Sequence, residues 1–460
     1  MVRANSLNSR FRNPLATSII CKSSKKISIV IFVVLASMIV DTIFNQNIQI
    51  RNSVNITSTW SIALFITLAA IAMIGQYYIL VYVKHKSAEI RRKVKTLSIS
   101  FRITEIIQYL LIAVFLFVIG DIVLFWHYPT ASLALVTAVS YGLNIGLMAV
   151  FSQIFFLWYK SNRSSIAVLL YGLSFAVLVI TSCVFLAGSF YRFMEKPTYI
   201  YPYSSTELTP AEPGSILNTL AKIYHYSDMV SFVSKWIATA FLLYHYSQKM
   251  GRTKYWILIS LPLVYFIGTY MDDLHIYEPH SEAEEFYWKL YATLNSTAGG
   301  ILFYVGFVAA AKHFQDNLAI KDYLLICGFG FLLFFSAGQS TLANGLYPPY
   351  GLATMSFYGL SSFLILLGLY ASAVSVSQDS NLRRLMMKLA TNEMNMLRSM
   401  GIAHRETELW RRVNKLKYIV EGEEKELKER TGVESSLDEK DLKDYVQEVL
   451  QEVGKTKAQK

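Results

Sequence analysis

The sequence predicts an all-α, polytopic transmembrane helical bundle of about ten spans, with both termini in the cytoplasm and a cytoplasmic C-terminal helical tail. Three observations predict it: the composition, a succession of long apolar stretches, and the sides on which Lys and Arg fall. Hydrophobic residues make up 53% of the 460 residues and charged residues only 16%, whereas soluble domains carry about 25% charged residues. The charged residues are also segregated from the apolar runs, which excludes an ordinary soluble protein.

Ten apolar stretches are long enough, or nearly so, to cross a bilayer as helices. A hydrocarbon core of about 30 Å needs about 20 mostly apolar residues. The stretches lie at 27–44, 61–83, 103–126, 132–159, 166–190, 229–247, 255–271, 287–311, 323–343 and 351–377. The sixth contains Lys235, and the seventh is the shortest. No small-residue cleavage site follows the first stretch, so we expect an uncleaved span rather than a secretory signal peptide.

The distribution of Lys and Arg predicts the sidedness of these spans. If the N-terminus is cytoplasmic, twenty Lys and Arg lie in inside segments and five in outside segments or at their edges. Because cytoplasmic loops are enriched in Lys and Arg, hydropathy and charge agree on one topology at the plasma membrane. The net charge of +11 therefore reflects membrane topology, and we expect the lipid bilayer, and no nucleic acid, as partner.

This topology divides the chain into three parts. A basic cytoplasmic N-terminal arm covers 1–26, the transmembrane helical bundle covers 27–377, and a cytoplasmic helical or coiled tail covers 378–460. Residues 380–460 carry 17 Lys or Arg and 15 Asp or Glu, a balance typical of exposed helices. An apolar stripe from Leu437 to Val453 keeps helical spacing and needs a partner. That partner could be another part of the tail, a second copy or another protein.

Polar side chains within the apolar stretches are the candidate ligand-binding residues, because burying a charge at a helix centre costs about 3 kcal/mol. The candidates are Asp41, Asp121, Lys235, Asn295 and Gln339. All except Lys235 lie toward the predicted outer face, where they could be hydrated, bond between helices, or line a shared pocket. Lys235 lies deeper, and either a carboxylate such as Asp121 or snorkelling toward the interface would accommodate it.

The acidic outer connector 272–286 offers weak candidates for a metal site. Within it, His275, Glu278 and His280 combine imidazole and carboxylate ligands. Their spacing matches no defined metal motif, and a solvated acidic loop is the alternative. We therefore expect no metal and no cofactor. The three cysteines Cys21, Cys183 and Cys327 are far apart, which favours small buried residues over a disulfide framework or a zinc site.

Two patterns predict details of packing. Ala138, Gly142 and Gly146 form a small-residue row that would let a neighbouring helix approach closely, within the chain or between copies. In the long outer connector 191–228, the run Ser215 to Ser227 is compatible with a helix lying along the membrane interface.

No catalytic motif is present, and we expect no enzymatic activity. The chain has no Walker A loop, no G-x-S-x-G and no H-E-x-x-H. His404 faintly resembles the phosphoacceptor histidine of sensor kinases, but the 56 residues after it are too few for a kinase domain. The alternative is an ordinary exposed histidine on a helix.

The end of the membrane part resembles a family of archaeal multi-pass, sensor-like membrane proteins. The segments that carry the resemblance are Tyr347-Pro-Pro-Tyr-Gly, Ser356-Phe-Tyr-Gly-Leu-Ser-Ser and Ser375-Val-Ser-Gln-Asp-Ser-Asn-Leu-Arg-Arg, within residues 340–430. The resemblance implies an archaeal plasma membrane and a last span that feeds a cytoplasmic signal-transduction helix.

The sequence leaves three function classes open. We expect first a receptor or sensor-like protein that relays a change in its outward half to the tail. A secondary transporter or permease is the first alternative, and a structural or accessory subunit of a membrane complex is the second. A transporter predicts polar groups meeting at mid-membrane. A sensor predicts polar groups clustered outside and a last span continuous with the tail, and an accessory subunit predicts the absence of a cavity.

Overall fold

The structure is a computed structural model. It describes residues 24–46, 59–161, 163, 166–202, 214–243, 251–257, 259–260, 262–263, 281–312, 318–338, 340, 342, 345–378 and 400–413. The chain forms two compact units, Met1–His404 and Arg405–Lys460. All of the long apolar helices among the described residues belong to the first unit.

The first unit is a bundle of long helices with one very short β-ladder. In chain order its elements are α1 (Ser24–Gln46), α2 (Thr59–Lys86), α3 (Ala88–Lys93), α4 (Lys95–Phe125), β1 (Tyr128–Pro129), α5 (Thr130–Ser161), α6 (Ile166–Met194), β2 (Tyr199–Ile200), α7 (Ile216–Leu243), α8 (Glu282–Lys312), α9 (Leu318–Ala337), α10 (Leu352–Met355) and α11 (Phe357–Gln378). The fold is therefore an all-α bundle, as predicted. The antiparallel pair β1–β2 joins only two residues from each of two connectors.

Seven of the described helices are long and apolar enough to cross a membrane. They are Lys26–Asn45, Thr59–Lys86, Lys95–Phe125, Thr130–Lys160, Ile166–Met194, Ala319–Ala337 and Leu352–Ser377. Seven of the ten predicted stretches coincide with them. The sixth lies in α7 and the eighth in α8, which are helical but outside this set. Most of the seventh, 255–271, lies outside the described residues.

Helix α11 lies at the centre of the bundle. Within its span Leu352–Ser377, 94% of the most apolar window is buried inside the protein, against 33% to 72% for the other six spans. It packs against α9 most extensively, and also against α5 and α4. Small residues let neighbouring helices approach α11 on more than one side. Gly359 lies against Leu143 of α5, and Gly368 lies against Cys327 of α9.

Glycines allow α9 and α11 to approach each other closely, with backbone against backbone. A Cβ at Gly368 would lie 2.6 Å from Cys327 Cβ and 2.7 Å from the Tyr323 carbonyl oxygen. A Cβ at Gly330 would lie 2.8 Å from the backbone nitrogen of Ile365. The predicted small-residue row behaves differently, since a Cβ at Gly142 or Gly146 would meet no atom within 4 Å. That row therefore makes no close helix contact among the described residues of this chain.

The contacts place successive connectors at opposite ends of the bundle. At one end, called the Asp41 end, Asp41 bonds to Gly351, and Tyr128 bonds to Leu346. The connector at Thr198 also lies there, since its carbonyl accepts a bond from the Thr130 N–H at 3.0 Å. The Lys86 end is the opposite one, where Lys86 meets Asp322 with an Nζ–Oδ2 distance of 2.6 Å. Alternate helices thus run in opposite directions, as spans of a multi-pass bundle do.

Helix α7 is one continuous helix of 28 residues, so the predicted interfacial helix over Ser215 to Ser227 is wrong as a separate element. It packs along α6 through three pairs of polar side chains, Ser174–Ser231, Thr181–Ser227 and Tyr171–Thr239. These bonds extend over both halves of α7. They hold it upright against α6, which is why it does not turn to lie along an interface.

Residues 400–404 are helical and pack on the bundle. Met400 and Ala403 are buried, and a Cβ at Gly401 would lie 2.6 Å from Val376 Cγ1. In the second unit, residues 405–413 are helical. Glu408 Oε1 lies 3.5 Å from Arg412 Nε, and Glu408 Oε2 lies 3.7 Å from Arg411 Nη1. The predicted domain boundary at 377/378 stays a prediction about membrane topology.

Candidate functional site

The buried carboxyl group of Asp41 is the centre of a polar cluster at the Asp41 end. Asp41 Oδ1 accepts a hydrogen bond from the Gly351 backbone N–H at 2.9 Å. Asp41 Oδ2 accepts one from the Thr354 N–H at 2.9 Å and one from the Thr354 hydroxyl at 2.8 Å. The side chain is fully buried. It therefore satisfies the first free N–H groups of α10 and links the first span to the start of the last one.

Gly351 is needed at this joint for two reasons. Its φ of +92° lies in the left-handed region, which side chains with a Cβ rarely adopt. A Cβ at this position would also lie 2.8 Å from the Asn45 side-chain nitrogen. The backbone can therefore turn its N–H toward Asp41 only because residue 351 has no side chain.

Segment 345–351 is fixed by further polar and aromatic contacts. The Tyr350 hydroxyl donates to the Ser61 carbonyl oxygen at 2.8 Å, and the Tyr350 ring stacks on Phe44 with centroids 5.1 Å apart. The Tyr128 hydroxyl donates to the Leu346 carbonyl oxygen. Thr42 and Ser340 share a hydroxyl hydrogen bond of 3.1 Å. Segment 345–351, called the plug below, is thus held by α1, α2 and Tyr128 of β1.

Two titratable groups outside the spans respond to burial at the edge of this plug. The pKa of Lys196 is lowered by burial and by the neighbouring charge of Arg192, although Glu195 acts in the opposite sense. The pKa of Tyr347 is raised by burial. Both shifts favour the neutral form, as expected where polar groups leave water at the end of an apolar bundle.

The other predicted candidates do not join Asp41. Asp121 is half-buried, and no described residue bonds to it. Lys235 is buried, with its Nζ 5.4 Å from the ring centroid of Phe334 and 5.7 Å from that of Phe335. The nearby charge that acts on Lys235 is Asp228. Neither pairing with Asp121 nor snorkelling describes Lys235, because its ammonium group lies against two aromatic faces inside the bundle.

The remaining candidates cannot be placed. Asn295 belongs to α8, but its side chain lies outside the described residues, as do Gln339, His275, Glu278 and His280. Within the described ranges, no group of three or more His, Cys, Asp or Glu side chains could hold a metal ion.

A second polar cluster joins three helices near the middle of the bundle. The Asn144 amide nitrogen donates to the Ser182 hydroxyl at 2.7 Å, and the Ser362 hydroxyl donates to the Asn144 amide oxygen at 2.6 Å. All three side chains are buried. This cluster connects α5, α6 and α11 at about half the length of α5 and α6 and in the second turn of α11.

A third set of buried polar atoms finds no partner among the described residues. It comprises Gln76 Oε1, both amide atoms of Gln108, Thr137 Oγ1 and Ser140 Oγ. Each of these side chains is at most 1% exposed. Because an unsatisfied buried polar group costs about 1–3 kcal/mol, such a concentration requires an explanation. The sequence contains a signal for this set, since two glutamines interrupt otherwise apolar runs.

A cleft of about 180 Å³ opens between α6 and α7 toward the Asp41 end. Its floor is apolar, and polar groups of Ser189, Arg192 and His225 contribute to its lining. A Cβ at Gly188 would meet no atom within 4 Å, which leaves room in the cleft. This cavity lies in the half of the bundle for which the sequence predicts a ligand.

His404 is not an ordinary exposed histidine. It is half-buried, with its ring 5.6 Å from that of Tyr370 and 6.1 Å from that of Trp158. Both contacts are edge-to-face, a favourable arrangement for aromatic rings. They tie residues 400–404 to α11 and α5 at the Lys86 end.

Comparisons with known proteins add no relative. No protein family model matches the chain, no curated protein matches it, and no solved structure matches it. The resemblance to archaeal sensor-like proteins stays a prediction. The function must therefore be argued from the site geometry alone.

Proposed function

We propose that this chain is an integral membrane receptor or sensor-like protein without its own catalytic output. A change in the outward half of the bundle would be relayed through α11 to the cytoplasmic tail. The observation that carries the proposal is the path of the last span. It starts at the Asp41 cluster, passes through the centre of the bundle and ends against the helical residues 400–404.

The upper part of this path couples the plug to α11. Thr354 bonds to Asp41 and also donates to the Met38 carbonyl oxygen at 3.2 Å. Only Ser356 separates α10 from α11, and its N–H still bonds to the Leu352 carbonyl at 3.2 Å. Because close-packed interiors deform little, a displacement of the plug would shift α11 as a unit.

The lower part of the path couples α11 to the tail. Val376 contacts residue 401, and Tyr370 contacts His404. A movement of α11 would therefore change how residues 400–404 pack against the bundle. A relay needs two arrangements of this contact that differ by about 1–3 kcal/mol. The tail would pass the change to a protein partner or to a second copy through its apolar stripe.

The direction of the helices supports the predicted count of ten spans. Helix α7 is antiparallel to α6 and ends at the Lys86 end, whereas α9 begins there and α8 runs antiparallel to α9. The chain must therefore cross the bundle between α7 and α8. The Tyr255 hydroxyl donates to the Ala240 carbonyl at 2.7 Å, and the Trp236 indole donates to the Ile259 carbonyl at 2.7 Å. This order of contacts is that of a segment running antiparallel to α7, which supports a further crossing.

The basic residues at the Lys86 end support a cytoplasmic location for that end. Two of these basic residues are Lys84, whose Nζ lies 2.6 Å from Glu105 Oε1, and Lys93. The hydrogen bond from Lys93 lowers the pKa of Glu89, which keeps this pair charged. We assign the Lys86 end and both termini to the cytoplasm, in a plasma membrane, by the positive-inside rule.

Cysteine labelling tests this sidedness. In a cysteine-free background, Tyr201→Cys at the Asp41 end should react with a membrane-impermeant maleimide on intact cells. Arg92→Cys, equally exposed but at the Lys86 end, should react only after permeabilisation. The reverse pattern would exclude the assigned topology and the relay with it.

A fluorescent reporter tests the relay, since Trp158 lies beside residue 404 and quenches bimane at short range. We would attach bimane to His404→Cys in a cysteine-free chain in nanodiscs. Thr354→Val, which removes two bonds at the opposite end, should change the quenching by Trp158. Trp158→Phe should abolish the quenching in both backgrounds.

A matched control removes a hydroxyl that takes no part in the path. Thr67 lies exposed on α2 and donates only to the Ala63 carbonyl of its own helix, at 2.8 Å. Thr67→Val should leave the bimane signal unchanged. Unchanged fluorescence in Thr354→Val, and in Ser340→Ala as a second perturbation of the Asp41 end, would refute coupling between the two ends.

A permease is the second candidate function, and the Asn144 cluster favours it, because polar groups from three helices meet at half the bundle length. Stopped-flow swelling of proteoliposomes in gradients of urea or glycerol tests it, with ²²Na⁺ uptake as a third probe. Solute entry that Asn144→Leu abolishes would make transport the better description. Entry at the rate of empty liposomes for all three probes would remove support for a permease of these solutes.

A further inference from the structure

Several unpaired polar atoms of the bundle core can be located relative to one residue, Ser356, between α10 and α11. Gln76 reaches it directly, because its amide nitrogen donates to the Ser356 hydroxyl. The Ser356 hydroxyl donates in turn to the Ala353 carbonyl at 2.6 Å. The Gln76 amide oxygen remains without a partner in the described structure.

Helix register places Gln108 at the same level. The rings of Phe101 on α4 and Phe363 on α11 are in contact, with centroids 5.8 Å apart. Gln108 lies seven residues from Phe101 toward the Asp41 end, and Ser356 lies seven residues from Phe363 in the same direction. Seven residues are two helical turns, about 10 Å, so both return to the facing sides of their helices.

The same argument places Ser140 there from α5. A Cβ at Gly359 would lie 2.7 Å from Leu143 Cδ2, which fixes the register of α5 against α11. Ser140 is three residues from Leu143 and Ser356 is three residues from Gly359, both toward the Asp41 end. Three helices thus direct unpaired polar groups toward one point, and Thr137 lies one turn further along α5.

The chemistry of these atoms selects the occupant. Gln108 has both a free donor and a free acceptor, Gln76 has a free acceptor, and the Ser140 hydroxyl can act as either. A bare cation would satisfy only the acceptors and an anion only the donors. The carboxyl oxygens of Asp41 bond to Gly351 and Thr354, and among the described residues no bond joins them to Gln76, Gln108 or Ser140.

We propose that Gln76, Gln108 and Ser140 enclose an internal binding site beside Ser356 for a neutral molecule that both donates and accepts hydrogen bonds. Water is the occupant the geometry favours, because a water molecule with two to four polar partners satisfies all of the unpaired atoms. Small neutral solutes such as urea share this chemistry. The proposal does not depend on whether the chain acts as a receptor or a permease.

Radiolytic footprinting of the full chain in nanodiscs tests the site, because a bound water generates hydroxyl radicals at its own position. Met355, adjacent to Ser356, is fully buried and serves as the reporter. Met148 is equally buried, one turn from the fully bonded Asn144, and serves as the control. We expect oxidation of Met355 and none of Met148, with ¹⁸O incorporated when H₂¹⁸O replaces H₂O.

Substitutions make the outcome specific. Gln108→Leu keeps the approximate side-chain volume and should abolish Met355 oxidation. If the Gln108→Leu variant does not fold, Gln76→Leu takes its place, with the same expected loss of oxidation. If small neutral solutes can also occupy the site, added urea should displace the water and suppress the oxidation of Met355. That result would extend the proposal from water to small neutral solutes. Equal oxidation of Met355 and Met148, no loss in either variant, or oxidation that changes when Na⁺ replaces choline would overturn it.

Discussion

Replacement of Gly368 by Ala should destabilise the bundle more than any other single methyl addition in the described glycines of α11. The added Cβ would meet Cys327 Cβ at 2.6 Å and two backbone atoms, Cys327 N and the Tyr323 oxygen, at 2.7 Å. Backbone atoms cannot move aside as a flexible side chain can. Because overpacking costs about 1–3 kcal/mol, we expect about 3 kcal/mol at this site. Scanning fluorimetry of the purified chain in nanodiscs would report the lowered Tm.

Gly146→Ala is the matched control for this prediction. It makes the same chemical change in a helix, but its Cβ would meet no atom within 4 Å. The gain in helix propensity is up to about 1 kcal/mol, so the variant should be unchanged or slightly more stable. Equal losses in the two variants would show that the α9–α11 crossing is not as tight as described. A large loss in Gly146→Ala alone would indicate a second copy packed on that face.

Asp41→Ala is expected to disrupt the junction between the first and last spans. It removes the acceptor for the Gly351 N–H, the Thr354 N–H and the Thr354 hydroxyl, all buried. Each unsatisfied group costs about 1–3 kcal/mol, so the total loss in unfolding free energy should be about 3 kcal/mol or more. Asp41→Asn should lower the unfolding free energy less, because the amide oxygen of asparagine can still accept a hydrogen bond where one carboxyl oxygen did. Thermal unfolding and hydrogen exchange of residues 345–356 measure both effects.

Asp121→Asn separates this effect from a general response to removing an acid. Asp121 is half-buried and bonds to no described residue, so its replacement should change stability by about 0.5 kcal/mol or less. The sequence ranks the two aspartates alike, as outward polar groups in apolar runs. A loss in Asp121→Asn comparable to that in Asp41→Ala would mean that Asp121 has a structural partner outside the described residues.

The sequence indicated these two residues but could not distinguish them. Hydropathy shows that a carboxyl group lies in an apolar run, whereas its bonds depend on which backbone passes near it. Asp41 meets Gly351 and Thr354 across more than 300 positions in the chain. Such a contact follows from how the last span enters the bundle, and no local pattern encodes it.

The small-residue row illustrates the same limit. The spacing of Gly142 and Gly146 satisfies the rule for close helix packing, yet both face away from the described helices. Two glycines that do lie against neighbouring backbone, Gly330 and Gly368, belong to two helices separated in sequence by the plug. Periodicity identifies a face on which helices can approach, but only the arrangement of neighbours decides whether one is there.

The sequence alone determined the helical class and seven of the membrane-crossing stretches, because the hydrophobic effect and the length of a bilayer span act locally along the chain. Tertiary structure decided that the last span lies at the centre, that Asp41 holds the plug, and that polar atoms of Gln76, Gln108 and Ser140 are buried without a partner among the described residues. These features depend on hydrogen bonds and van der Waals contacts between distant segments. Such short-range forces select partners only after the helices have packed together.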